Sequence, residues 1–402
     1  MSIEKIVSER SPRMSEKYRE EVKRDYKKQL DLLREELPFI ALKYLNSKSQ
    51  SLEISSVTRY AEDLRVYFRW LSLENPMCRS SKDIPDEVLQ GQTASDIEEF
   101  LLYLEDFITV DENGKEKHHT LSASSRARKL AALKSFYKYL AKIGFLENGA
   151  NPASLVESIK VTKTKESIVV ISEPDKKKMF NLVDTGNEFV GQAEQIYRTQ
   201  CLRDKAILCV LLGTGIRVSE LVGLDLQDID FEESKLSIIR KGGNFGQVYF
   251  NREVADALHD YIDIERNAMH DIKEKDRNAL FISRKKGRIT VRAVEYLVEK
   301  YSNVIYKDKV PNYVELLKPV EYDAEEGGKK KAKYRKAPKL HKISPHKLRS
   351  TFASDYVNSE GSDIQALSEV MGHSSAHISS KYYSRSSEMK KRSVADSVHL
   401  QK

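Results

Sequence analysis

A mostly α fold with a small β-sheet is predicted, an all-helical domain followed by a mixed α+β domain. Three observations predict it. Apolar residues recur at helical spacing through the first third of the chain. Two short β-like runs, 236–240 and 247–250, flank Gly242, Gly243 and Asn244, residues that supply the positive φ a hairpin needs. A length of 402 residues exceeds one ordinary core, so two domains are expected.

The helical block is read as follows. Val57, Tyr60, Leu64, Tyr67, Phe68 and Leu71 form one stripe, with Ser55 or Ser56 as the cap and Asn75-Pro76 as the stop. A second helix opens at Ser95, with Glu98 completing a capping box, and turns Ile97, Phe100, Leu101 and Leu104 inward. A third covers about 122–143, with Leu130, Leu133, Phe136, Tyr137 and Leu140 on one side. Its other side carries Arg126, Arg128, Lys129, Lys134 and Lys138. Such a face is either a solvated surface or a stripe of cations that displaces counterions from DNA phosphates. The predicted order is a charged helical leader (1–35), the helical domain (36–160), a polar basic linker (161–172) and the second domain (173–402).

In the second domain, helices are expected near 173, over 202–212, from 218, and over 252–269, 290–301, 345–358, 363–371 and 376–383. Gly213-Thr214-Gly215 breaks the second of these. Residues 307–342 read as a solvated basic insertion, with four acids in 321–326 and eight Lys or Arg in 329–342.

Bulk properties narrow the class. Lys plus Arg number 68 against 61 acids, a net +7 that permits a nucleic-acid partner without demanding one. Cys78, Cys201 and Cys209 have no metal-ligand spacing, and the latter two read as core thiols, which suits a reducing cytoplasm. Residues 1–13 lack a signal-peptide apolar region, and no apolar run reaches the length of a membrane span.

Four segments carry chemistry: Gly213-Thr214-Gly215-Ile216-Arg217-Val218-Ser219-Glu220-Leu221; Arg240-Lys241-Gly242-Gly243; His346-Lys347-Leu348-Arg349; and Met371-Gly372-His373, followed nine residues later by Tyr382. Taken singly, each has an ordinary structural explanation. In their order and intervals they resemble the tyrosine recombinase (phage integrase) family pattern of Arg, Lys, His-x-x-Arg, Gly-His and Tyr. The flanks "TGIRVSEL", "PHKLRSTFAS" and "MGHSS" agree. "SSRARKLAALKSFYKYL...NPA" resembles the last helix of the family's SAM-like core-binding domain. "DIPDEVLQGQTASDIEEFLLYL" and "IIRKGG" look like the Xer type, in particular its single-recombinase XerS-like branch.

The resemblance implies Arg217, Lys241, His346, Arg349, His373 and Tyr382 as catalytic residues, and Arg126, Arg128, Lys129 and Lys134 as DNA-binding candidates. It also implies a homotetramer on two double-stranded sites, with no metal and no nucleotide cofactor. The residue types suit the reaction. Two guanidiniums, Arg217 and Arg349, can clamp the extra charge on the non-bridging oxygens through forked hydrogen bonds. Arg217 stands at a helix start, where backbone N–H groups also favour an anion. A phenol of pKa about 10 ionises more readily than an aliphatic hydroxyl, which suits Tyr382 as nucleophile. By resemblance Lys241 is the general acid, His346 transfers a proton or binds phosphate, and His373 donates to a non-bridging oxygen. Glu220 is expected to buttress Arg217. Tyr383 adjoins Tyr382; the nine-residue interval selects Tyr382, and Tyr383 projects roughly 100° away on a helix.

Alternatives remain open at this point. A type IB topoisomerase shares the constellation, and a DNA-binding protein could use the scaffold without catalysis. Among recombinases, Xer-type resolution of chromosome dimers at a dif-like inverted repeat, with a DNA translocase as a further partner, competes with integration of a phage or conjugative element. The expected location is the cytoplasm, at the nucleoid.

Overall fold

The computed structural model describes residues 14–75, 78–110, 114, 116–146, 149–161, 170–189, 192–240, 243–306, 319–322, 331–334, 343–359 and 363–372. The chain divides into two compact units, Lys17–Lys165 and a second made of Glu166–Lys402 grouped with Met1–Glu16.

The first unit is helical. It contains α1 (Met14–Arg34), α2 (Phe39–Ser49), α3 (Ile54–Glu74), α4 (Asp86–Gln90), α5 (Ala94–Tyr103), a hairpin of β1 (Phe107–Val110) and β2 (Glu116–His119), α6 (Ala123–Lys142) and α7 (Pro152–Leu155). The expected stripes of α3, α5 and α6 meet in one core with Tyr44, Leu64, Tyr67, Phe68, Phe100, Phe136 and Tyr137 fully buried. Each such side chain contributes roughly 1.5–3 kcal/mol by leaving water. Inside the core, the Tyr67 and Tyr137 hydroxyls lie 2.6 Å apart, and the Tyr67 hydroxyl also donates to Gln92 Oε1 at 3.0 Å. The second half of α1 belongs to this core as well, through Leu30 and Leu33.

Two caps differ from expectation. α3 starts at Ile54 behind Glu53, without a side-chain cap bond, not at Ser55 or Ser56. α5 is capped by Thr93, whose box partner is Asp96, so the signature sits two residues before the expected Ser95 and Glu98. Thr93 and Asp96 obey the same spacing rule, and the structure uses the shorter acid. The β1–β2 hairpin was not anticipated. Its turn holds Asn113-Gly114, a hairpin signal, and Gly114 has φ +76°.

The second unit contains α8 (Glu173–Thr185), α9 (Gln192–Arg198), α10 (Cys201–Thr214), α11 (Val218–Val222), β3 (Ile229–Asp230), β4 (Lys235–Ile239), β5 (Phe245–Tyr249), α12 (Arg252–Asp260), α13 (Val291–Tyr306), β6 (Pro319–Tyr322), β7 (Lys331–Tyr334), α14 (Pro345–Asn358) and α15 (Ile364–Met371). Strands β3, β4 and β5 form an antiparallel sheet in that order. α10 is buried from Ala206 to Leu211 without a break and packs on α8, α12 and α14, as a helix apolar on every side must. The helix expected over 252–269 is α12 continued as a π-helix, Tyr261–Arg266.

The insertion 307–342 was expected to be an unstructured solvated loop. In the structure it contains the antiparallel pair β6–β7, in register from Pro319↔Tyr334 to Tyr322↔Lys331. Val320 and Tyr322, and Ala332 and Tyr334, alternate with charged residues, and Gly327-Gly328 lie between the strands. High charge density hid this period-two pattern. The helix expected over 376–383 lies outside the described residues.

Candidate active site

The site is built at the C-terminal end of α15. The last carbonyls of a helix have no intrahelical N–H partner and carry its negative dipole end. Here three successive carbonyls are taken by three different guanidiniums. Arg240 Nη2 donates to Val370 O at 3.1 Å, Arg349 Nη2 donates to Met371 O, and Arg217 Nη2 donates to Gly372 O at 3.2 Å. Gly372 closes the helix in the left-handed region, with φ +55°.

Each arginine arrives on its own element. Arg217 precedes α11, two residues after Gly215, which ends α10 at φ +64°. A Cβ on Gly215 would lie 2.3 Å from the Phe352 ring of α14, so the stop needs glycine for both conformation and space. Glu220 holds Arg217 as expected: its Oε1 accepts from Arg217 Nη1 at 2.9 Å, and its Oε2 from the Arg217 backbone N–H at 2.7 Å. That second bond changes one expectation. α11 has only five residues and Glu220 occupies the N–H of the capping Arg217, so anion attraction here comes from the guanidinium more than from the helix start.

Arg349 lies on α14 and is only 3% exposed, and its Nη1 donates to Gly215 O. One turn earlier on α14, His346 stands at the exposed rim. Partial burial, then the positive charges of Arg349 and Arg217, hold its pKa below the usual histidine value. Near pH 7 its imidazole is therefore neutral and can accept a proton.

Arg217, His346 and Arg349 are thus brought together. Lys241, His373 and Tyr382 lie outside the described residues. Arg240 had been given no role from sequence. Its guanidinium is lowered in pKa by burial and by the charge of Arg217, while Glu220 opposes this. Among the described residues, Arg217, Arg240 and Arg349 meet at this helix end with Glu220 beside Arg217, an arrangement that suits an anion with several oxygens.

The candidate cations of the helical unit are all engaged. Arg126 pairs with Glu105; Arg128 and Lys129 both donate to Asp63, at 2.9 and 3.0 Å; Lys134 donates to Val156 O at 2.9 Å. Lys129 is buried at 7% exposure, whereas the Arg128 side chain keeps 50%.

Similarity to known proteins agrees with this geometry. The Phage integrase family profile matches residues 185–312 and 318–389. Tyrosine recombinase XerS of Streptococcus mutans is 28% identical over 375 residues, covering 88% of this chain and 93% of that protein. Tyrosine recombinase XerC of Thermodesulfovibrio yellowstonii is 32% identical over 262 residues, covering 65% of this chain and 71% of that protein. In fold, the Tn1549 transposon integrase in complex with a circular intermediate DNA superposes with a TM-score of 0.58 at 18% identity, covering 89% of this chain and 98% of that one. Sequence and fold therefore place the chain in the phage integrase family, among the tyrosine recombinases.

Proposed function

We propose that the chain is a site-specific DNA recombinase that cuts and rejoins strands through a 3′-phosphotyrosyl link. The observation that carries this is the meeting of Arg217 and Arg349 on the neighbouring carbonyls of Gly372 and Met371, with His346 at their rim. In the reaction the two guanidiniums take the non-bridging oxygens, where charge grows in the transition state. The Tyr382 phenolate forms the bond to phosphorus, and the bond to the 5′ oxygen breaks. Lys241 gives that oxygen its proton. His373 donates to a non-bridging oxygen, and neutral His346 moves a proton or binds phosphate. The phosphotyrosyl bond keeps the energy of the broken phosphodiester, so attack by a 5′ hydroxyl of another strand needs no ATP.

The substrate is double-stranded DNA at an inverted repeat with a short central spacer, held by a homotetramer on two sites. Relatives called XerS, aligned over 93% of their length, favour Xer-type resolution of chromosome dimers, in the cytoplasm at the nucleoid. Of the four candidates Arg126, Arg128, Lys129 and Lys134, Arg128 is the one best placed to meet phosphate, because half of its side chain remains in solvent.

The test uses the full chain and DNA fragments it enriches from a random library, rebuilt as nicked substrates that trap cleavage. A covalent protein–DNA product and strand exchange between two such sites are expected. Binding without any covalent product would leave only a DNA-binding protein. Relaxation of supercoils without strand exchange would point to a topoisomerase.

A further inference from the structure

We propose that Arg240 is a positioning residue, a latch that holds the β4–β5 turn carrying Lys241 against the end of α15. The proposal rests on the recombinase reading above. Arg240 immediately precedes Lys241 in the chain, and its backbone closes the turn: its N–H donates to Asn244 O at 2.8 Å, and its carbonyl accepts from Gly243 N–H at 3.0 Å. Its side chain then leaves the hairpin and bonds Val370 O at 3.1 Å, one carbonyl away from the one Arg349 holds. The guanidinium therefore ties the turn to the same helix end that gathers Arg217 and Arg349.

The space for this latch is made by two missing side chains. A Cβ on Gly246, on the facing strand β5, would lie 2.5 Å from Arg240 Nε. A Cβ on Gly372 would lie 1.9 Å from Arg240 Nη1. The arginine is threaded between two glycines from separate elements. Nη1 is buried and has no hydrogen-bond partner among the described residues, and the charge of Arg217 opposes that of Arg240. A solvated arginine would avoid both penalties. A surface cation at a hairpin end has no reason to accept them, whereas a group that must hold the turn at a fixed place does. A general acid must sit within hydrogen-bond reach of the oxygen it protonates, so a loosened turn slows the step that Lys241 serves.

The test compares cleavage of two nicked substrates, one with an ordinary scissile phosphate and one with sulfur in place of the bridging 5′ oxygen. A leaving thiolate needs no general acid. Arg240→Ala is expected to cleave the ordinary substrate about tenfold to a hundredfold more slowly, no more than the bottom of a general acid's contribution, because Lys241 itself remains. The sulfur substrate should be cleaved at close to the unmodified rate, as with Lys241→Ala. Gly246→Ala should behave in the same way, because it evicts the guanidinium while keeping its charge. Arg217→Ala should remain slow on both.

An Arg240→Ala defect equal on both substrates would overturn the latch, since the guanidinium would then serve the phosphate or the fold. Unchanged cleavage by Arg240→Ala would overturn it too. Gly246→Ala, which leaves Arg240 in the chain, decides the matter if Arg240→Ala fails to fold: unchanged cleavage there rejects the proposal. No covalent product from the unmodified chain on either substrate would reject the recombinase reading itself, and the latch with it.

Discussion

At the scale of single residues, three guanidiniums gather at the carbonyls that end one helix. Arg217, Arg240 and Arg349 share the end of one helix, with Glu220 as the carboxylate beside them. On the proposed role, removing a guanidinium that takes a non-bridging oxygen should cost about 3–4 kcal/mol of transition-state stabilisation, by comparison with loss of an oxyanion donor. Arg217→Ala is thus expected to slow covalent-product formation by two to three orders of magnitude, as single-turnover assays would read, and also to lower thermal stability because the buried Glu220 loses its cation. Arg349→Ala should add a loss of thermal stability, because its buried carbonyl partners on Gly215 and Met371 lose their donor. Tyr382→Phe should abolish the covalent product and spare DNA binding; if Tyr383→Phe does so instead, the nucleophile is one residue further on. His346 titrates below the ordinary histidine value, so the unfolded chain takes up its proton first as pH falls. Its contribution to stability is therefore complete above that ordinary value, about 6.5, and is lost as pH falls below it. Urea midpoints measured on either side of that pH should differ less in His346→Gln than in the parent chain.

At the scale of elements, glycine stops place the chemistry. α10 ends because Gly215 turns left-handed under the Phe352 ring, and that turn delivers Arg217 two residues later. Gly215→Ala combines a strained φ with a clash, and about 2 kcal/mol or more of destabilisation is expected, together with loss of cleavage. A normal melting temperature in that variant would show that the turn tolerates a side chain. The stripes of α3, α5 and α6 were legible because a 3.6-residue period survives any register of the cap. The caps themselves were misplaced by two or three residues: Ser95 satisfies the same local rule as Thr93, and α3 starts behind Glu53 with no side-chain cap bond at all, so no local rule marks its start. The β6–β7 pair was missed because its alternation is carried by few apolar residues among many charges.

At the scale of the whole molecule, each unit carries buried charges that pH and mutation can probe. Asp63 accepts from Arg128 and from the buried Lys129. Asp63→Ala strands that lysine, and a loss of about 3 kcal/mol in the helical unit is expected from chemical denaturation. DNA titrations over a salt series should separate the two cations: Arg128→Ala lowers the salt slope by about one, whereas Lys129→Met leaves the slope unchanged. In the second unit, burial pushes the Glu265 carboxyl from 4.5 up to about 7, and the Arg203 N–H opposes this at 3.0 Å. A carboxyl whose folded pKa is raised keeps its proton where the unfolded chain has lost it, so stability falls as pH climbs from 4.5 to about 7. Thermal melts of Glu265→Gln should lack that fall; a parallel decline in both proteins would mean that another group is responsible.

The helical stripes were readable from residues alone, because hydrophobic period is a local property of the chain; the family was readable through the resemblance of the motifs, in their order, to a known pattern. The four DNA-binding candidates on α6 illustrate where such reading stops: spacing placed them on one helix, but only packing sends Lys129 inward to Asp63 and leaves Arg128 half in water. Arg240 makes the same point at the site. Nothing beside it in the chain distinguishes it from a solvated cation. Its role emerges because folding brings Gly246, Gly372 and the end of α15 around its guanidinium, and contacts between residues so far apart in sequence leave no periodic trace.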